Sequence, residues 1–138
     1  MFHFRKTFKN YKNIPRSETC AFCESVMQER VVRETKYTII VPNLVKYDLW
    51  EFRDVTEHLL VIPKRHVKSL SELTPTEAMD VMEILREYEG NDYNIYARSK
   101  NSIMRSVGHQ HTHLIKTKNG NRAKFGLFIK KPYLLIKF

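Results

Sequence analysis

The chain has 138 residues, 42% hydrophobic and 12% aromatic, and its 24 Lys and Arg against 15 Asp and Glu leave a formal charge of +9. That length holds one compact domain with a real core. The apolar content excludes wholesale disorder, and no apolar run approaches the roughly 20 residues that a membrane helix needs.

The basic N-terminus has no continuous apolar stretch and no small-residue cleavage site, so it does not read as a secretory signal, and the cytoplasm is the expected compartment. Residues 1–17, with Phe2, Phe4, Phe8 and Tyr11 among lysines, read as a loosely docked basic arm. The charge excess favours anionic partners, whether nucleotides, nucleic acid or an acidic membrane face, and equally fits a solubilising surface. Cys20 and Cys23 are the only cysteines, and an intracellular C-x-x-C pair is more often a metal or redox element than a structural disulfide.

The β-branched run Tyr37–Val41 before Pro42, and Leu59–Ile62 before Pro63, read as buried sheet strands. Between them "NLVKYDLWEFRDVTE" has no regular period and reads as a long loop carrying Trp50. A helix follows in "LTPTEAMDVMEILREYEG": Thr74 caps it, Pro75 opens it, Glu77 closes a capping box and Gly90 stops it. Ala78, Val81, Met82, Leu85 and Tyr88 form its expected core stripe. A strand near Tyr93–Arg98, a loop and a histidine-rich stretch come next, then the apolar segments "KFGLFIKK" and "YLLIKF". The order predicts an α+β domain with a mainly antiparallel sheet and one principal helix packed on it.

The stretch "SVGHQHTHLI" sets His109, His111 and His113 at alternate positions. In an extended strand they share one face, with neighbouring rings roughly 6–7 Å apart. Such a row suits a bound polyanion better than a single tetrahedral metal. Ser106 offers a hydroxyl and Gly108 a backbone that a phosphate can approach closely. A neutral imidazole whose second nitrogen is fixed by a hydrogen bond is a nucleophile toward phosphorus at pH 7. The central His111 is the natural candidate, with its neighbours donating to phosphate oxygens.

The pairing of "HLLVIPKRH" with "SVGHQHTHLI" resembles the histidine triad (HIT) family of nucleotide hydrolases and transferases, over about Cys20 to Ile115. The resemblance implies a single HIT-like domain over 18–138, a nucleotidyl intermediate on His111, phosphate contact by His113, and His58 beside the reacting phosphate. It further implies nucleotide binding by Asn43, Ser106 and Asn101. A structural zinc would be held by Cys20, Cys23, His66 and His109, a closed tetrahedral set that leaves His111 free. A homodimer is expected on the same ground. An alternative from another class is a zinc-stabilised nucleic-acid-binding or DNA-end-processing module; a three-histidine metal oxidoreductase is disfavoured, since no acidic ligand lies near the triad.

The chain departs from the family pattern in four places. The loop from Tyr47 to His58 is longer than usual, with Glu57 for the common glycine and Trp50 or Phe52 as candidate base-stacking groups. Gln110 and Thr112 are polar where apolar residues are usual, Arg105 replaces a common glutamine, and the loop containing Asn101 is short. Arg105 is read either as favouring a more anionic substrate or as facing solvent.

Overall fold

The structure is a computed structural model describing His3, Thr7 and residues 19–119. The rest of the basic arm and the apolar segments at 124–131 and 133–138 lie outside the described residues. Strands β1 (Arg33–Glu34), β2 (Thr38–Pro42), β3 (Leu49–Trp50), β4 (Arg53–Pro63), β5 (Tyr93–Ala97) and β6 (Thr112–Thr117) build one sheet. Its order is β1-β2-β4-β6-β5, with β3 attached to β4, and every pairing is antiparallel. Helix α1 (Pro75–Glu89) packs on one face, so the expected α+β class holds. No helix among the described residues is long and apolar enough to cross a membrane.

The run Leu59-Leu60-Val61-Ile62 is apolar at every position because both faces of β4 are covered. Leu59 and Val61 join Ile40, Leu114, Val81 and Ile84 under the helix. Leu60 and Ile62 join Ile39 and Val41 on the opposite face, covered by Phe22 and Val31. That second face carries the site. Between Val55 and Glu57 the β4–β6 register slips, and the hydroxyl of the intervening Thr56 donates to Lys116 O at 3.1 Å. The slip turns Val55 onto the face of His58 and Ile115, where it packs with Tyr47, Trp50 and Tyr96.

The capping box at Thr74 and Glu77 is present, but the expected core stripe of α1 is corrected. Val81, Leu85 and Tyr88 pack on the core as expected and Ile84 joins them, whereas Ala78 and Met82 are exposed. Each residue turns a helix by about 100°, so the inward line through Glu77, Val81, Ile84 and the half-buried Tyr88 leaves Met82 on the outward side. Glu77 tolerates burial because its carboxylate accepts from Thr74 N and from Arg65 Nε and Nη2, at 2.7 to 2.8 Å. This pair ties the exit of β4, and with it His66, to the helix cap.

The long loop read at 43–57 is also corrected: Leu49–Trp50 and Arg53–Asp54 form a hairpin with the two-residue turn Glu51-Phe52. Both turn residues have positive φ, 49° and 60°, as a type I′ turn requires. Neither is Gly, Asn or Asp, so the usual turn signal is missing. Packing of Leu49 and Trp50 offsets the backbone strain.

Candidate active site

The antiparallel register brings the histidines together. Leu60 lies opposite His113, and His58 opposite Ile115, so His58 and His113 are diagonal neighbours on the face away from α1. Only Thr112–Thr117 enter the ladder, which corrects the expectation of one strand through all three triad histidines. The segment before it is anchored instead by Gln110 N donating to Val67 O at 2.7 Å. The His111 and His113 rings come to 5.1 Å, closer than an ideal strand would set them.

Hydrogen bonds to groups that can only accept, or only donate, assign each imidazole a tautomer. His111 Nδ1 lies 2.8 Å from the carbonyl of His109 and must donate to it, which leaves the lone pair on Nε2. His109 Nε2 lies 2.9 Å from Pro63 O, so its proton is there and Nδ1 carries the lone pair. The backbone N–H of Tyr47 donates to His58 Nδ1 at 3.1 Å. His58 Nε2 therefore holds the proton and donates it to His113 Nδ1 at 2.8 Å, leaving His113 Nε2–H as an outward donor. Three neighbouring histidines thus have three different functions: lone pair toward the cysteines, lone pair toward the site, and hydrogen-bond donor.

Burial reinforces these neutral states. All four rings are buried. Desolvation, aided by the nearby His3 and His111 rings and Lys46, holds His58 down to about 3. Desolvation and the neighbouring His58 hold His113 down to about 2. His111 and His109 are also lowered, again chiefly by burial.

Cys20, Cys23, His66 and His109 offer four ligand atoms within 4.8 Å of one another. The separations Cys20 Sγ to His109 Nδ1, Cys23 Sγ to His109 Nδ1 and Cys23 Sγ to His66 Nδ1 are 3.5, 3.5 and 3.4 Å. Zinc bonds of about 2.3 Å to sulfur and 2.0–2.1 Å to nitrogen at the tetrahedral angle predict about 3.6 Å. The donor set fits that ion, and the His109 tautomer presents the correct nitrogen. Burial, and then the adjacent Cys20 sulfur, raises the Cys23 thiol, a penalty that a bound cation reverses. Phe22, between the cysteines, sets its ring edge against His111 at 5.1 Å and against His109 at 6.0 Å.

Asn43 Nδ2 lies 3.3 and 3.2 Å from the two ring nitrogens of His58. Both residues line an open groove of about 690 Å³ with Lys46, Glu57 and Tyr93. His111 and His113 do not line it. Ser106 and Asn101 are exposed in the loop after β5, and neither makes a hydrogen bond to the histidines among the described residues. Trp50 packs between Tyr47 and Tyr96, and Phe52 is exposed on the hairpin turn. Arg105 is half-buried and donates to Val107 O, Lys68 O and Gln110 Oε1 at 3.1, 2.8 and 3.0 Å, and its charge adds to the lowering of His111. The polar Gln110 is the partner of that arginine.

Sequence reasoning missed Tyr47, which holds His58 through its N–H and covers His58 and His113 with its ring at 4.4 and 5.7 Å. It missed Phe22, Tyr96 and Arg98 as well. Tyr47 was legible in "PNLVKY", at the end of the segment that yielded Asn43. Backbone acceptors such as Pro63 O leave no sequence signal.

Among solved structures, the fold is similar to a HIT family hydrolase from Clostridium thermocellum, at 18% identity and TM-score 0.56, covering 78% of this chain and 97% of that one. A zinc-bound histidine triad family protein from Mycobacterium smegmatis matches at 22% identity and TM-score 0.55, over 77% and 80% of the two chains. A HIT family protein from Bacillus anthracis matches at 20% and 0.57, over 84% of each. At these identities the likeness is one of fold. No curated protein matches the sequence. The family model described as the HIT domain matches residues 51–120, half of the chain, and with the histidine arrangement above this shows that the chain belongs to the HIT family.

Proposed function

We propose that this chain cleaves a phosphoanhydride, phosphoramidate or similar bond at a nucleoside α-phosphate, through a nucleotidyl intermediate on His111. The observation that carries the reading is the His111 tautomer. Its Nδ1–H is held by the His109 carbonyl, so the Nε2 lone pair stands ready beside the Nε2–H of His113. Nε2 forms a bond to phosphorus while the bond to the leaving group breaks, and that bond's electron pair departs with the leaving group. His113 donates to an α-phosphate oxygen as charge builds there. Water, in a hydrolase, or another acceptor, in a transferase, then takes the nucleotidyl group, and Nε2 regains its lone pair.

Asn43, beside His58, would hold the ribose hydroxyls, and Ser106 and Asn101 would approach the phosphates. Cys20, Cys23, His66 and His109 would hold a structural zinc, which supplies no step of the reaction and fixes the segment carrying His111. A cytoplasmic homodimer fits the reading; Met79 and Met82 on α1 and Ile95 on β5 are exposed apolar groups that a second copy would cover. A monomer in light scattering at micromolar concentration would contradict the dimer. The function is tested by incubating the protein with dinucleoside polyphosphates and nucleoside phosphoramidates and trapping the adduct for mass spectrometry. A nucleotidyl mass on the peptide containing His111 is expected; turnover retained in His111→Ala overturns the covalent route.

A further inference from the structure

Cys20 and Cys23 close a turn. The Cys23 N–H donates to Cys20 O at 2.9 Å, and the two sulfurs are themselves in hydrogen-bond contact. Such a turn holds the α-carbons of its first and fourth residues within about 7 Å, and a disulfide spans about 4.4–6.8 Å. The pair can therefore be joined without a large backbone movement. Neither sulfur is in a disulfide, and both face ring nitrogens: Cys20 that of His109, Cys23 those of His66 and His109.

Access separates the two sulfurs. Cys23 is exposed beside the exposed His66, whereas Cys20 is half-buried and His109 is buried. A small polar oxidant arriving from solvent meets Cys23 first. As a ligand to a cation Cys23 is a thiolate, the form that attacks peroxides, and Cys20 stands beside it as the group that resolves the product.

The pair is also wired to the triad. Phe22 lies inside the loop that the new bond would close, with its ring edge 5.1 Å from His111 and 6.0 Å from His109. His109 turns Nδ1 to both sulfurs, while its carbonyl takes the Nδ1 proton of His111 at 2.8 Å.

We propose that Cys20 and Cys23 are a modification site as well as a ligand pair: hydrogen peroxide closes them into a disulfide, the four-donor set falls to two imidazoles, and His111 loses the support of Phe22 and His109. This rests on the zinc assignment and, for its effect on turnover, on the His111-nucleotidyl reading. In the first step Cys23 Sγ bonds to a peroxide oxygen, the O–O bond breaks, and hydroxide leaves and is protonated to water. Cys23 is then a sulfenic acid. Cys20 Sγ bonds to Cys23 Sγ, the S–O bond breaks, and its electron pair leaves on a second hydroxide, protonated in turn. Two thiolates are oxidised by two electrons in all, and one peroxide is reduced to two waters. A dithiol reverses the change by exchange. His66 and His109 alone hold zinc far more weakly than the full set with its two thiolates.

The test treats the zinc-loaded whole chain with hydrogen peroxide in the presence of a chromophoric chelator, then maps the peptide containing both cysteines by mass spectrometry. One zinc per chain should be released as that peptide becomes two hydrogens lighter, and dithiothreitol with zinc should restore both. Turnover should fall by about tenfold on oxidation and recover on reduction, the usual worth of a residue that supports a working group from behind. Cys23→His keeps four donors but cannot form the bond, and should hold its zinc through the same treatment. Should that variant fail to load, release and peptide mass in the wild type still decide. Zinc retained with both thiols intact overturns the proposal, as does release with sulfinic or sulfonic acid in place of the disulfide, or an oxidised protein with unchanged turnover. Protein that carries no zinc before oxidation overturns the zinc assignment and the proposal with it. Protein that releases zinc and forms the disulfide, yet turns over no nucleotide in either state, upholds the modification site and overturns the catalytic reading.

Discussion

His58 Nε2 stands 2.8 Å from His113 Nδ1, across two paired strands, and the two buried rings share a single proton between those atoms. The bond is lost when His113 Nδ1, its acceptor, takes up a proton. Burial disfavours a charge on either ring, and a proton on His113 Nδ1 would also face the one on His58 Nε2.

Stability should therefore depend on pH in a definite direction. The unfolded imidazoles titrate near their ordinary value of about 6.5. The folded ones titrate far lower, His58 near about 3 and His113 near about 2. Between those values the unfolded chain binds more protons, so stability rises with pH there and is lost as pH falls below about 6.5. The slope is up to about 1.4 kcal/mol per pH unit for each proton excluded. Melting curves from pH 7.5 to 4.5 check this. A melting temperature that is level from pH 7 to 4.5 would contradict the shared-proton pair.

Removal of the proposed metal ligands should act on His111 from a distance. Cys20 and His66 do not contact His111 directly, but Phe22 and His109 do. Cys20→Ser should abolish binding of one zinc per chain, lower the melting temperature by about 5–10 °C and reduce turnover although the triad is intact. Metal analysis of protein purified without added zinc gives the stoichiometry, and a metal-free wild-type preparation with full stability would exclude the site.

His111→Ala should lower turnover by more than about a thousandfold, since no other lone pair replaces Nε2. His113→Gln should cost less, because an amide can still donate to phosphate. Single-turnover assays with circular dichroism to check folding distinguish the two. Equal losses would mean that His113 is not simply a donor.

Gly108 gives a test of where phosphate sits. A Cβ built there meets nothing within 4 Å, and its backbone is not in the left-handed region. Gly108→Ala should therefore leave stability unchanged or raise it by about 0.4–1 kcal/mol. If phosphate uses that open space, KM rises several-fold at unchanged melting temperature; an unchanged KM would move the phosphate elsewhere.

The sequence by itself determined the parts whose signals are local. Helix α1 was legible from Thr74 to Gly90 because the capping residues act within one turn of the chain, and β2 and the end of β4 from short β-branched or apolar runs. The four proposed zinc ligands and the triad were legible as motifs, and the four converge. The hairpin at Glu51-Phe52 was not, because its positive φ values are held by the packing of Trp50 rather than by turn residues. The flank of α1 was misjudged because what covers a helix is decided by the sheet beneath it.

Tertiary structure alone decided what each histidine can do. The acceptor that fixes His109 is a carbonyl 46 residues away, and the ring that fixes His113 lies 55 residues away. Arg105 turned out to hold Gln110, and Arg98 to sit on the Tyr96 ring, through contacts that depend on strand order. An imidazole is a ligand, a nucleophile or a donor according to which nitrogen carries the proton. Here partners placed by folding, not by neighbouring sequence, choose that nitrogen.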